Sequence, residues 1–209
     1  MQTSKKMIIQ NGVLHISSTT SSEIIIQDNN ITINPLSHSK IILCIINNTA
    51  SCTQNITVNF QEQHAEVCVF GLYQGCDKQT LSVITTMNHA VPHCTSRQLW
   101  KGVLRDAAKA SFEGKIIVAK HAQKTAAHLS NKNLLLSKTA EVSTRPFLEI
   151  DANDVQCTHG ATVGCLDQDA IFYLRSRGIA EQDARELLID AFVNEILELT
   201  PFETGVCNG

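Results

Sequence analysis

Aromatic side chains make up only 5% of this 209-residue chain, and it has four prolines, so few large rings are available to build a core. No run of about 18 apolar residues is present, so a membrane-spanning helix is not expected. The basic and apolar start Lys5-Lys6-Met7-Ile8-Ile9 is interrupted at once by Gln10 and Asn11, which argues against an export leader. The chain therefore reads as soluble and cytoplasmic. A basic excess is also missing: 17 Lys and Arg against 20 Asp and Glu give a formal charge of -3, the wrong sign for the electrostatic footprint of nucleic-acid binding. A Gly-rich loop followed by Lys-Ser or Lys-Thr is absent, which excludes a P-loop and predicts that this chain binds no ATP itself. No two cysteines stand two residues apart, so zinc-ribbon and dithiol redox motifs are excluded as well. Hairpin dipeptides are scarce, since Asn-Gly occurs only at Asn11-Gly12 and Asn208-Gly209. A β-sandwich, the fold alternative, would need more of them.

Eight cysteines are present. In a chain of this length without an export signal they are expected to be reduced. Cys44 in Ile-Leu-Cys-Ile and Cys68 in Val-Cys-Val read as small core residues. Asn30-Ile31-Thr32 and Asn55-Ile56-Thr57 match glycosylation sequons, which an Asn- and Thr-rich β protein also makes by chance.

The first 90 residues alternate β-branched runs with Asn, Ser, Thr and Asp clusters, as in Glu23-Ile24-Ile25-Ile26 and Ile41-Ile42-Leu43-Cys44-Ile45-Ile46. Ile31-Thr32-Ile33, Ile56-Thr57-Val58 and Leu81-Ser82-Val83 recur about 25 residues apart, a period within the range of repeating coils. Lys115-Ile116-Ile117-Val118, Asn133-Leu134-Leu135-Leu136, Phe147-Leu148-Glu149-Ile150 and Asp154-Val155-Gln156-Cys157 continue as short strands about a dozen residues apart, read as tighter rungs. A stack of such strands, with no clear helix before Cys165, predicts a parallel β-helix in which each rung buries its apolar face against its neighbours. Ser96 to Ala110 fits a helical stripe through Leu99, Val103, Ala107 and Ala110 and equally an alternating strand, so its class stays open.

After Gly164 the pattern changes. Asp167 is placed to cap a helix with an acidic first turn and with Arg175 and Arg177 near its end, before Gly178. A second helix is predicted over 181–199, with Ala184, Leu187, Leu188, Ala191, Phe192, Ile196 and Leu199 forming a stripe that Glu195 alone interrupts. Glu203 to Gly209 reads as a loose tail.

From Asn88 to Leu199 the chain resembles the SufD proteins of the SUF iron-sulfur cluster assembly system. The resemblance is carried by Val91-Pro92-His93-Cys94-Thr95-Ser96-Arg97, Lys101-Gly102-Val103-Leu104, Asn131-Lys132-Asn133-Leu134-Leu135-Leu136-Ser137, Arg145-Pro146-Phe147-Leu148-Glu149-Ile150, Cys157-Thr158-His159-Gly160-Ala161-Thr162-Val163-Gly164 and Phe172-Tyr173-Leu174-Arg175-Ser176-Arg177-Gly178-Ile179. The paralogous SufB proteins carry Glu-His-Glu-Ala-Thr where this chain has His159-Gly160-Ala161-Thr162. The resemblance implies a mainly β protein, a right-handed parallel β-helix over residues 1–164 (1–87 weakly matched, 88–164 strongly) with a small C-terminal α-helical subdomain over 165–209. The helical N-terminal domain usual in the family has no counterpart in this sequence. The implied role is a non-catalytic scaffold subunit that pairs with SufB and docks the ATPase SufC, with a homodimer as fallback when alone.

On a strand, residues two apart share a face, so Cys157 and His159 are expected to present a thiolate and an imidazole together. Those donors suit iron and iron-sulfur clusters, but two cannot complete a cluster site. The resemblance implies that His159 contributes to a transient iron or nascent cluster shared with SufB. For Cys157 packing and chemistry stay equally open. It also implies SufC docking through the helical end, where Phe172, Tyr173 and Arg177 are candidates. His89, His93 and Cys94 form a second constellation that reads as structural, for want of a fourth ligand. Lys120, His121, Lys124 and His128 read as solvated or ladder positions, and Asn131 and Asn133 as turn residues. Two other functions are weighed: an autonomous metal-binding or redox protein, and a carbohydrate-active β-helix enzyme. The latter is disfavoured because Asp151 and Asp154 do not share the alternation of a catalytic pair.

Overall fold

A computed structural model describes residues 3–9, 12–18, 23–27, 29–47 and 51–199. Asn11, Asn208, Gly209, Cys207 and the predicted tail over 203–209 lie outside them. The described chain forms strands β1 (Thr3–Ile9), β2 (Gly12–Ser18), β3 (Glu23–Gln27), β4 (Asn30–Asn34), β5 (Lys40–Asn47), β6 (Cys52–Phe60), β7 (Glu66–Gly75), β8 (Thr80–His89), β9 (Thr95–Leu104), β10 (Lys109–Val118), β11 (Ala126–Leu135), β12 (Glu141–Ile150) and β13 (Gln156–Gly164), then helices α1 (Gln168–Ser176) and α2 (Glu181–Glu198).

From β4 onward successive strands alternate between two sheets. The first has the order β1-β2-β5-β7-β9-β11-β13 and the second β12-β10-β8-β6-β4-β3. The ladders that join β4 to β13 with one another are all parallel, so the chain winds as a β-solenoid of about five turns. The predicted coil is correct. Its predicted tightening is not: ladder partners lie 25 residues apart at Asn30 and Asn55, 29 at Ser82 and Ser111, and 32 at Lys109 and Glu141. The dozen-residue spacing counted each turn twice, once per sheet. The coil also starts with antiparallel pairs, β1 with β2, β2 with β5 and β3 with β4, which the predicted stack of parallel rungs did not include.

Period-two alternation sends one set of side chains inward. β8 and β10 show it most regularly, with Leu81, Val83, Met87, Phe112, Ile116 and Val118 buried. The open segment Ser96–Ala110 is mostly strand β9, with Leu104 inside the coil and Val103 outside, under the helices. Two glycines make room for rings. A Cβ on Gly71 would collide with the Trp100 ring in the same rank, and one on Gly102 with Tyr73 and Asn133. The gap at Gly102 lets Tyr73 reach across a strand to Asn133, where its hydroxyl donates to Oδ1. Asn131 donates to the Tyr73 oxygen at 3.0 Å, and Asn133 donates to Asn131 Oδ1 at 2.7 Å. Asn131 and Asn133 are therefore buried strand residues and not the turn formers expected, because this closed circuit satisfies amides that turns otherwise satisfy.

Outside the coil the second sheet carries a row of asparagines. Asn55 donates to Asn30 at 2.8 Å, Asn59 to Asn34 at 3.1 Å and Asn88 to Asn59 at 2.8 Å, so both sequon asparagines belong to an amide ladder. At one corner His38, His64, His93 and Lys124 all take positive φ, between 57° and 61°. The three imidazoles stack there with centroids 5.0 Å apart.

Asp167 caps α1 as predicted, accepting from the Asp169 N–H at 2.9 Å, and Gly178 takes φ 89° after its end. The stripe assigned to α2 is only partly right. Ala184 and Ile196 are buried, yet Leu187 and Leu199 stay exposed, while Ile189, outside the stripe, is buried against Val103 and Leu134. The helix is apolar on more than one side, so period alone did not select the seated face. Among the described residues no helix is long and apolar enough to cross a membrane.

Candidate functional site

β12 and β13 are the last strands of their sheets. Among the described residues β12 pairs only with β10 and β13 only with β11, so each leaves a row of backbone N–H and C=O groups outside these ladders. On β13 every residue from Thr158 to Gly164 is exposed. Gly160 and Gly164 have open space where a Cβ would stand, so neither glycine is required by packing within this chain.

Register fixes what β13 adds to the interior. The inward ranks of the first sheet read Val67, Ser96, Ala127, Cys157, then Val69, Gln98, Leu129, His159, then Gly71, Trp100, Asn131, Ala161. Val69, Gln98 and Leu129 are buried, and His159 ends their rank as an exposed side chain at the open mouth of the coil. Cys157 is half-buried and packs against the main core. Thr158, between them, points outward, where its hydroxyl lies 2.8 Å from His128 Nδ1. Across the mouth stands β12, whose Val142 and Leu148 pack against the core and whose Thr144 hydroxyl is buried without a partner. Pro146 sits on this edge strand, where its lack of an N–H breaks no ladder bond within the chain.

Cys157 and His159 thus share one face, as predicted. The thiolate is not favoured: burial pushes the Cys157 thiol up from its usual range, partly offset by a backbone hydrogen bond from Ala127. Among the described residues no group of three or more His, Cys, Asp or Glu side chains is arranged to hold a metal ion. Two donors fall short of the four that a cluster commonly takes.

The second constellation is dispersed. His89 lies inside the coil, stacked on Phe60 at 4.2 Å and 2.9 Å from Ser96 Oγ, and burial lowers its pKa to about 4. His93 belongs to the exposed imidazole stack, and Cys94 is buried. Asp154 pairs with the Lys124 ammonium. Lys120, His121 and Lys124 are exposed, as expected of solvated positions.

At the helical end Phe172 is 73% exposed and Tyr173 56%, with the Arg177 guanidinium 5.2 Å from the Tyr173 ring centroid. Leu187 on α2 is exposed too, an apolar group the stripe had assigned to the buried side.

The profile of the SUF system FeS cluster assembly SufBD core domain matches residues 10–192. The chain belongs to the SufBD family. Within it the chain is of the SufD type: it is 43% identical over 144 residues to the iron-sulfur cluster assembly protein SufD of Escherichia coli, covering 69% of this chain and 34% of that protein. The SufBD family protein slr0076 of Synechocystis is 41% identical over 147 residues, 70% of this chain and 32% of that protein. The chloroplastic protein ABCI7 of Arabidopsis thaliana is 37% identical over 126 residues, 60% and 26% respectively. The matched part of the chain thus spans about a third or less of the length of these relatives. The SufD of Escherichia coli is by its name an iron-sulfur cluster assembly protein.

Proposed function

We propose that this chain is the SufD-type half of a two-chain scaffold on which an iron-sulfur cluster is built, a cytoplasmic and non-catalytic subunit that pairs with SufB and docks the ATPase SufC. The coil over 1–164 serves the pairing and the helical subdomain over 165–209 the docking. The observation that carries this reading is the open end of the coil, where among the described residues two edge strands each lack a neighbour on one side and one of them presents His159. Adding partner strands to β12 and β13 satisfies the free backbone groups and closes the mouth over His159 and Cys157.

The cluster, or the iron that begins it, is cargo held between the chains. His159 supplies one imidazole nitrogen and the partner the remaining donors. Cys157 contributes once a positive charge nearby stabilises its thiolate against the burial that pushes the thiol up. On the helices Phe172, Tyr173 and Leu187 give an apolar contact with Arg177 at its rim, the composition of an interface centre. Without SufB the same open edges would pair with a second copy.

Two measurements test the reading. His159→Ala in the assembled complex is expected to leave subunit association intact and to lower cluster formation; an unchanged yield removes His159 from the assembly step. Phe172→Glu is expected to abolish co-purification of SufC, and retained binding refutes docking through this face.

A further inference from the structure

Lys101 is 1% exposed although it stands on the outer face of the coil, because α2 lies over it. On the same face of β9 Leu99 and Val103 flank it, and each joins a separate apolar contact with the helix. Leu99 meets Ile196 together with Cys44, Cys68 and Phe70, and Val103 meets Ile189 together with Leu134. Between these contacts the Lys101 ammonium donates to the Phe192 carbonyl, lies 4.3 Å from the centroid of the Phe192 ring and pairs with Glu195 Oε2 at 2.5 Å. Glu195 Oε1 accepts from Lys132 at 3.0 Å. Lys132 on β11 is the ladder partner of Lys101 on β9, so one carboxylate of the helix bridges two neighbouring strands.

This is an unusual way to seat a helix. Burying an ammonium costs desolvation that a well-packed apolar residue of the same volume avoids, so such pairs contribute little to stability and are best attested as devices that fix register. Apolar residues recur along α2 at Ile189, Phe192, Val193 and Ile196, and over an apolar strip alone a helix can slide by a turn and re-pack. With Lys101 beneath it, a slide leaves the ammonium buried away from both its carboxylate and its carbonyl. Phe192 and Glu195 stand three apart on one helix face, the spacing that lets one ammonium reach both.

We infer that Lys101 is a positioning residue that locks the register of α2 on β9 and β11, so that movement imposed on the helices is passed to β11 and, through the β11 and β13 ladder, to the strand bearing His159. The inference rests on the proposed docking of an ATPase at the helical end. Lys132 adds the second strand to the linkage, and the Lys101 contact is its buried, better-shielded half.

Lys101→Met tests it, because methionine keeps much of the side-chain volume and removes the charge. In the isolated chain we expect the thermal midpoint to change by a few degrees at most, while amide exchange in α2 rises at least tenfold relative to β9. Unchanged α2 exchange overturns the lock. In the assembled complex we expect SufC capture and ATP hydrolysis to persist and ATP-dependent cluster formation to fall at least tenfold; wild-type cluster formation overturns the coupling. Glu195→Gln, on the half-exposed side of the pair, gives the same readouts if Lys101→Met does not fold. Failure of the wild-type chain to capture SufC would count against the proposed function, and the exchange measurement would still decide the lock.

Discussion

Acid should weaken this fold through one residue before it reaches the carboxylates. His89 is sealed inside the coil against the Phe60 ring, with Ser96 as its polar neighbour on Nε2 and no partner on Nδ1. Burial disfavours the imidazolium and lowers the pKa from 6.5 to about 4. The unfolded chain keeps an ordinary value of about 6.5, so between these limits the unfolded state binds more protons. Stability is thus complete above the unfolded pKa and is lost as pH falls toward 4. Integrating the linkage gives a loss of about 1 kcal/mol at pH 6, about 2 at pH 5 and about 3 at pH 4. Against a domain stability of about 5–15 kcal/mol that is a large change. Denaturant melts followed by the fluorescence of the single tryptophan, Trp100, buried in the same coil, measure it directly. His89→Gln removes the titration, so the difference between the two proteins isolates the histidine from other groups. Parallel stability curves between pH 7 and pH 5 would refute the reasoning, as would a His89 proton resonance that titrates near pH 6.5.

Gly71→Ala places a methyl on the Trp100 ring, and the overpacking is expected to cost about 1–3 kcal/mol in urea melts. Gly160→Ala is the contrast: its Cβ enters open space, so the melt of the isolated chain should shift little, while a partner strand meets the added methyl and pairing weakens in a pull-down. Phe112→Ala, fully inside the coil and against Trp100, should cost about 3–5 kcal/mol by the same melts. Thiol labelling should separate Cys165, which is exposed and reacts in the native protein, from Cys44, whose thiol burial pushes up to about 12 and which should react only on unfolding.

The order of legibility along the chain follows from the range of the forces involved. Local signals sufficed for the coil and the helix caps: β-branched runs with a recurring interval announced stacked strands, and Asp167 before an acidic turn announced α1, because capping and alternation act over a few residues. The interval was misread after Lys115, since a two-sheet solenoid puts two strands in each turn and the chain does not mark which sheet a strand joins. Ser96–Ala110 stayed open for a related reason. Leu99 and Val103 are apolar because α2 covers them, so a strand buried on both faces loses the alternation that would identify it.

Taken alone, the sequence determined that this protein is a stack of short strands ended by two helices, that it carries the SufD-like run around Cys157 and His159, and that these two residues share a face. Tertiary structure decided that their strand is an edge of its sheet among the described residues, that burial pushes the Cys157 thiol up while His159 stands in the open mouth, and that Asn131 and Asn133 close a buried circuit with Tyr73. It also decided the partners of Lys101, 94 residues from Glu195 in the chain. Periodicity reports which way a side chain points, but what it meets there is set by residues a whole turn of the coil, or a helix, away.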